Sequence, residues 1–427
     1  MRTPILLALL LVPGLAVSCG LQLGDEQTPQ AREPEIFSAV TLPGVDVLLE
    51  RGLDHLQGQR VGLLTNRTGR LRDGRRTIDL LWQAQGVELV RLFSPEHGLS
   101  TELEGRVQDG ADGHTNLPVI SLYGQHRRPR EEDLEDLDLV IFDLQDVGVR
   151  FYTYSTTLFY LLEACSDLKQ KRPDSAPGVM ILDRPNPLSS YGPRGPVSDP
   201  NRRSFICPAD MPLMHGLTLG ELALWRVAQQ GLSVDLEVVQ LKHWDPASHW
   251  SETGLAWIAP SPNLRTPESA LLYPMIGMLE ASNLSVGRGT DEPFMRLGAA
   301  WLDGRALAQR LRARPLPGLL AEALEFSPDS GPFQGELCGG VQFQIVERAD
   351  LRPVESGLKL VRELIDLGGE EFDWRRVDER LAHASTLEQV RQQSAQDPGL
   401  GEVTWSSGLL RWRKGVRPYL LYPRSWD

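Results

Sequence analysis

Three short segments concentrate side chains that do chemistry. They are Ser94-Pro95-Glu96-His97-Gly98, then Asp143-Leu144-Gln145-Asp146-Val147-Gly148-Val149-Arg150 followed by Tyr152, and Asp183-Arg184-Pro185-Asn186-Pro187. Each sets carboxylates beside Pro or Gly, which fix the local turn and with it the direction of the side chain. Rigidly held carboxyls suit proton transfer. Glu96, Asp143, Asp146, Asp183 and Glu280 supply candidates, and the residues alone do not say which pair. A further polar region joins Pro260-Ser261-Pro262-Asn263, Glu280-Ala281-Ser282-Asn283 and Gly287-Arg288-Gly289-Thr290. Its glycine turn offers backbone N–H groups and a guanidinium to an anion. Ordinary structural roles fit many of the same residues: Asp146 as a cap for the helix starting near Phe151, Asp183 with Arg184 as an ion pair, His215 as a core histidine.

From these segments we take Glu96, Asp146 and Tyr152 as the candidates for the chemistry. Tyr152 and Tyr154 stand two apart on an expected helix and cannot both face the core, which favours Tyr152 for the site. The candidates for holding a substrate are Asn66, His97, Asp143, Arg150, Asp183, Arg184, Asn186, His215, Asn263, Glu280, Asn283, Arg288 and Thr290. No metal spacing motif such as HExxH occurs, so no metal is assigned.

Strand-like and helix-like segments alternate around these residues. Strands are expected at Arg60–Thr65, Val87–Phe93, Pro118–Tyr123, Leu139–Leu144, Val179–Asp183 and Val234–Leu241, with helices at Thr77–Gln85, Glu131–Leu137 and Phe151–Cys165. Thr218-Leu219-Gly220-Glu221 has the form of a capping box opening another helix. Continuous apolar strands separated by helices predict a parallel sheet covered on both faces, hence a Rossmann-like α/β domain. The polar clusters then fall at the carboxyl ends of the strands, where such sheets bind ligands. No G-x-G-x-x-G follows the first strand; the turn there is Thr65-Asn66-Arg67-Thr68-Gly69. Amphipathic helices at Arg305–Arg312, Leu358–Leu367 and Asp378–Leu387, with a strand at Gly340–Val346, predict a smaller α+β domain. The expected division is 36–258 and 259–427.

The 427 residues carry 44 Lys plus Arg against 57 Asp plus Glu, a formal net charge of −13. That balance opposes general nucleic-acid binding, which needs a basic face to displace phosphate counterions. At the amino end a basic start and the apolar run Ile5–Val17 read as a secretory signal over residues 1–18, too short to span a bilayer. It ends Ala16-Val17-Ser18-Cys19, a lipobox-like site. Lipidation of Cys19 and a polar tether over 19–35 would anchor the protein at the cell envelope. Cys165, Cys207 and Cys338 then remain, enough for one disulfide at most.

In order along the chain, SPEHG, DLQDVGVRFYTY, LDRPNP, MHGLTLGELA, PSPNLRTPESALLYP and the NLS, GRGT and PF segment resemble the NamZ family of bacterial exo-β-N-acetylmuramidases. The matching motifs run from about Gly62 to Phe294. The resemblance implies a Rossmann-like domain, a smaller C-terminal domain and an active cleft between them. It implies release of N-acetylmuramic acid from non-reducing ends of peptidoglycan glycans, or from muropeptide fragments, without a cofactor. The glutamate proposed as catalytic in the family matches Glu96. Two departures bear on the sugar subsite: the usual EGTN is EASN at 280–283, and Val286 stands where an acid is common. Glu280 and Asn283 are retained. Muramic acid carries a lactyl carboxylate, for which Arg288 is the first reader and Arg150 the second, with Arg184 also in the cluster. The hydrolysis this resemblance implies usually uses two carboxyls flanking the anomeric carbon, one acting as an acid, and a route through the substrate's own acetamide stays open beside it. Two other functions use the same residues: a non-catalytic lipoprotein binding peptidoglycan fragments, and an NAD-dependent sugar enzyme.

Overall fold

A computed structural model describes residues 40–393 and 402–426. The signal-like run, Cys19 and the tether lie outside the described residues. Among the described residues the chain runs α1 (Gly44–Arg51), β1 (Arg60–Thr65), α2 (Thr77–Trp82), β2 (Glu88–Ser94), β3 (Gly110–Ala111) and β4 (Pro118–Ser121). Next come α3 (Glu131–Leu134), β5 (Leu139–Asp143), α4 (Tyr154–Lys171) and β6 (Gly178–Leu182). A ribbon of β7 (Arg194–Val197) and β8 (Pro212–Met214) precedes α5 (Leu219–Gln230) and β9 (Leu236–Val239).

Seven of these strands form one sheet in the order β3-β4-β2-β1-β5-β6-β9. It is parallel except at the β3 edge. All five residues of β5 are buried, as a strand covered on both faces requires. Side-chain alternation divides the cover. Val61 and Leu63 of β1 pack with Val45 and Leu48 of α1 and Ile78 and Leu81 of α2. Leu64, facing the other way, joins Phe93, Phe142 and the α4 residues Leu158 and Phe159. The expected strands all form, with ends differing by one or two residues. Thr218 caps α5, its hydroxyl accepting Glu221 N–H while the Glu221 carboxylate accepts Thr218 N–H.

The second half begins with α6 (Pro267–Ile276). Thr266 caps it and Pro267 occupies its first turn, where the missing N–H costs nothing. The expected boundary at 258/259 falls in irregular chain just ahead of it. Then come β10 (Arg296–Ala299), α7 (Gly304–Ala313), β11 (Leu319–Phe326), β12 (Cys338–Ile345) and α8 (Pro353–Gly368). The strands form an antiparallel sheet in the order β10-β12-β11. One apolar core runs from Phe142 and Leu158 through α6 to Val341, Phe343 and Leu360. The chain then makes α9 (Asp378–Leu381), α10 (Ala384–Gln392) and α11 (Glu402–Val416). No helix among the described residues is long and apolar enough to cross a membrane.

Two expectations need correction. The helix expected over Asp378–Leu387 breaks at Ala382, which has φ 49°. The carbonyls that would continue it are taken: Arg150 donates to the carbonyls of Arg380 and Leu381, and Asp199 N–H to that of Ala382. The helix expected from Phe151 starts at Tyr154, so Tyr152 lies in the preceding turn. Tyr152 and Tyr154 are therefore both buried, their rings edge to face with centroids 4.7 Å apart. Cys165, Cys207 and Cys338 are free and buried.

Residues 420–424 return to the first sheet. The Tyr422 hydroxyl accepts Leu241 N–H at 2.9 Å and donates to Asp183 Oδ2 at 2.7 Å. Arg424 pairs with Glu221 at 2.5 Å, both side chains buried.

Candidate active site

Glu96 follows β2 on a tight turn in which Gly98 N–H donates to the Pro95 carbonyl at 3.1 Å. His97 and Gly98 are both left-handed, with φ 71° and 69°. That reversal turns Glu96, half-buried, into a pocket of about 330 Å³. His97 Nδ1 sits 2.8 Å from the Leu103 carbonyl and ties the turn to the next loop. Thr153, the N-cap of α4, donates its hydroxyl to Glu96 Oε2 at 2.6 Å. Tyr123 lies beside the same carboxylate; burial first, and the Glu96 charge second, push its hydroxyl up to about 12. Glu96 thus has hydroxyl neighbours and, among the described residues, no ion pair.

A second part of the lining is a charge network. Glu280 is held between Arg288 at 2.7 Å and Arg380 at 3.0 Å. Arg288 reaches on to Glu104 at 2.9 Å, and Asn263 donates to the same Glu104 oxygen at 2.9 Å. Burial, the largest single influence on Glu104, pushes its carboxyl up, yet the donors from Asn263 and Arg288 together hold it below the ordinary range. Arg380 Nε is buried with no partner, a donor left over for something else. Aromatic rings close the sides: Tyr273 meets Phe151 and Phe294 edge to face at 5.1 and 4.8 Å. The volume lies at the low end for ligand clefts, roughly 300–1,000 Å³. Its walls come from both halves of the fold.

The profile described as exo-β-N-acetylmuramidase NamZ, N-terminal, matches residues 61–268, and its C-terminal counterpart matches 271–422. Peptidoglycan β-N-acetylmuramidase NamZ of Bacillus subtilis (strain 168) is 36% identical over 352 residues, 82% of each chain. The chain belongs to the NamZ family. Two crystal structures of DUF1343 family proteins from Bacteroides fragilis NCTC 9343 share its fold, with TM-scores of 0.80 at 32% identity and 0.72 at 25% identity. Each covers 90% of this chain and 99% of its own.

In this NamZ family member, Glu96, His97, Tyr152, Asn263, Glu280 and Arg288 come together at the pocket. The Tyr152 hydroxyl is buried, and burial first, with the neighbouring Tyr154 second, holds its pKa well above the ordinary value. The other selected residues do not line it. Asp143 is buried under Arg184, at 2.5 and 3.0 Å, and accepts the Thr77 hydroxyl at 2.5 Å. Asp183 accepts from Thr218, Gly220 N–H and Tyr422, so its donors are structural. Asn186 bridges Leu217 and Leu188, and Asn66 binds Thr68 and the Tyr154 hydroxyl. Asn283 is tied to the backbone of Glu371 and Asp373; Thr290 bonds back to the Gly287 carbonyl. Arg150 is the plainest case. Its guanidinium is fully buried and donates to the carbonyls of Pro196, Met211, Arg380 and Leu381, its Nε is buried without a partner among the described residues, and the residue does not line the pocket.

Asp146 and His215 form a buried pair that does not line the pocket. His215 Nδ1 accepts Leu217 N–H, which places the proton on Nε2, 3.3 Å from Asp146 Oδ2. Asp146 also takes Gly148 N–H at 2.6 Å, and its other oxygen is buried without a partner. The sheet's reversal point, between β1 and β5, is where a dinucleotide would cross. Arg184 and Gln145 line a cavity of about 100 Å³ there, well short of a cofactor cleft.

The pocket also takes in Tyr123, Thr153, Glu104 and Arg380, which the sequence does not single out, along with the rings of Phe151, Phe205, Tyr273 and Phe294. Tyr123 ends an expected strand and Thr153 stands in the first turn of an expected helix, a positional signal for both. Glu104 sits in a polar loop, and Arg380 in an amphipathic helix, where nothing local marks them.

Proposed function

We propose that this protein is an exo-acting β-N-acetylmuramidase, releasing N-acetylmuramic acid from non-reducing ends of peptidoglycan glycans, with Glu96 as its essential acid. The observation that carries this reading is the contrast across one terminal pocket: a carboxyl held by neutral hydroxyls on one side, a carboxylate-braced arginine pair on the other. A proton donor works beside neutral partners, whereas fixed guanidinium groups suit a carboxylate such as the lactyl group. Arg288 is the first reader of that group and Arg380, brought in by the α9 turn, takes the second place expected of Arg150. The relative named a peptidoglycan β-N-acetylmuramidase supports the substrate class.

The test offers a β-N-acetylmuramic acid glycoside and the matching β-N-acetylglucosamine glycoside. Wild type should prefer the first. Arg288→Ala should lose about 2–5 kcal/mol of that preference, the usual cost of removing one member of a buried charge pair. Equal rates on both sugars in wild type would defeat the specificity; an unchanged ratio in Arg288→Ala would remove Arg288 from it.

The lipobox-like Ala16-Val17-Ser18-Cys19 supports attachment to the envelope through diacylated Cys19, with residues 20–35 as spacer. Acyl chains bury methylenes at about 0.8 kcal/mol each, enough for a lasting anchor when two or three are present. On expression in a bacterium the protein should fractionate with membranes, and Cys19→Ala should move it to the soluble fraction. A wild-type protein already soluble, with its mature N-terminus elsewhere, would replace anchoring by plain secretion.

A further inference from the structure

Beyond the pocket lies an open depression of about 540 Å³ whose edge, Phe205, is also a wall of the pocket. Arg127, Arg203 and Arg226 line it, and no carboxylate does. Arg203 is paired with Asp210 at 2.9 Å and Arg226 with Glu163 at 2.6 Å, both acids lying outside the lining. Arg127 is exposed and has no carboxylate partner among the described residues. Its guanidinium lies over the face of Phe205 at 4.2 Å and over Tyr123 at 5.4 Å. Three arginines against two carboxylates leave a local positive surplus on a chain whose net charge is −13.

The sequence of surfaces is continuous. Glu96 neighbours Tyr123, the Tyr123 and Phe205 rings are 5.7 Å apart, and Arg127 covers both. Moving outward from the reacting bond, a ligand meets aromatic faces and then cations. Aromatic faces accept the apolar side of a neutral sugar ring; arginines accept a carboxylate, and one stacked on rings keeps its N–H edge free to do so. A peptidoglycan glycan presents those two features in that order: N-acetylglucosamine next to the cleaved bond, then a muramyl residue bearing a lactyl or stem-peptide carboxylate.

We propose that this depression binds the acid-bearing part of the leaving glycan, so that longer, carboxylate-carrying ends are preferred over the muramyl disaccharide. The inference rests on the muramidase reading and goes beyond it in naming the substrate class.

Four substrates test it: an aryl β-muramic acid glycoside, the muramyl disaccharide, and the tetrasaccharide with and without a stem peptide. In wild type kcat/KM should rise about tenfold from disaccharide to tetrasaccharide, as one charge-assisted contact allows, and the gain should shrink in high salt. In Arg127→Ala/Arg203→Gln the gain should fall to within about twofold, with the melting temperature checked for folding. A larger gain with the peptide assigns the stem carboxylates, and an equal gain assigns the lactyl group. Turnover of the aryl glycoside without a length advantage, or with one the double variant keeps, overturns the proposal alone. Failure on the aryl glycoside overturns the muramidase reading instead. Calorimetric binding of the oligosaccharides to Glu96→Gln then still reads the depression, and equal affinity for disaccharide and tetrasaccharide would sink it.

Discussion

Glu96→Gln should fold as the wild type does and lose about 10²–10⁴-fold in turnover, the usual contribution of a positioned proton donor. The amide keeps an oxygen for the Thr153 hydroxyl, 2.6 Å away in the parent, so the turn from Pro95 to Gly98 has no reason to move. It removes only the ionisable proton. KM should change little, because the groups proposed to hold the sugar acid are the Arg288 and Arg380 cluster and not Glu96. Steady-state kinetics on the muramic acid glycoside, with circular dichroism as the folding control, decides the matter. Near-full turnover in a folded Glu96→Gln would pass the role to another carboxyl. Glu280 and Glu104 are poorly placed to inherit it, since each is committed to arginine.

Arg150→Met should act on the fold first. The side chain it removes is fully buried and satisfies four carbonyls that come from β7, the approach to β8 and the end of α9. A buried acceptor stripped of its donor costs about 1–3 kcal/mol, so the loss should be at least about 3 kcal/mol even if some carbonyls find water. The urea midpoint should fall accordingly. Because two of those carbonyls cap the segment carrying Arg380, the preference for muramic acid over N-acetylglucosamine should weaken as well. A variant of wild-type stability with altered preference alone would reinstate Arg150 as a ligand contact.

The contrast between these two residues shows where sequence reading stops. Strands, their parallel order and the capped α5 follow from local periodicity, and Glu96 follows from a turn whose Pro and Gly are its neighbours. Asp143, Asp183 and Arg150 carry the same local marks, yet their partners lie far along the chain. Arg184 is 41 residues from Asp143, Tyr422 is 239 from Asp183, and Leu381 is 231 from Arg150. Whether a carboxylate at a strand end faces the cleft or a distant donor is settled only by packing. Arg380 was hidden for the same reason, its partner Glu280 standing 100 residues earlier. The break at Ala382 was hidden because its cause is a side chain from the first half.

The return of residues 420–424 to the first sheet gives the chain a sense of time. Asp183 and Glu221 are buried early in the sequence, while Tyr422 and Arg424 are made some two hundred residues later. In a chain still short of residues 420–424, both acids would be buried without these donors, at a cost of about 1–3 kcal/mol for each donor withheld. The last turns of the chain therefore lock the first half of the fold through groups that line no part of the pocket.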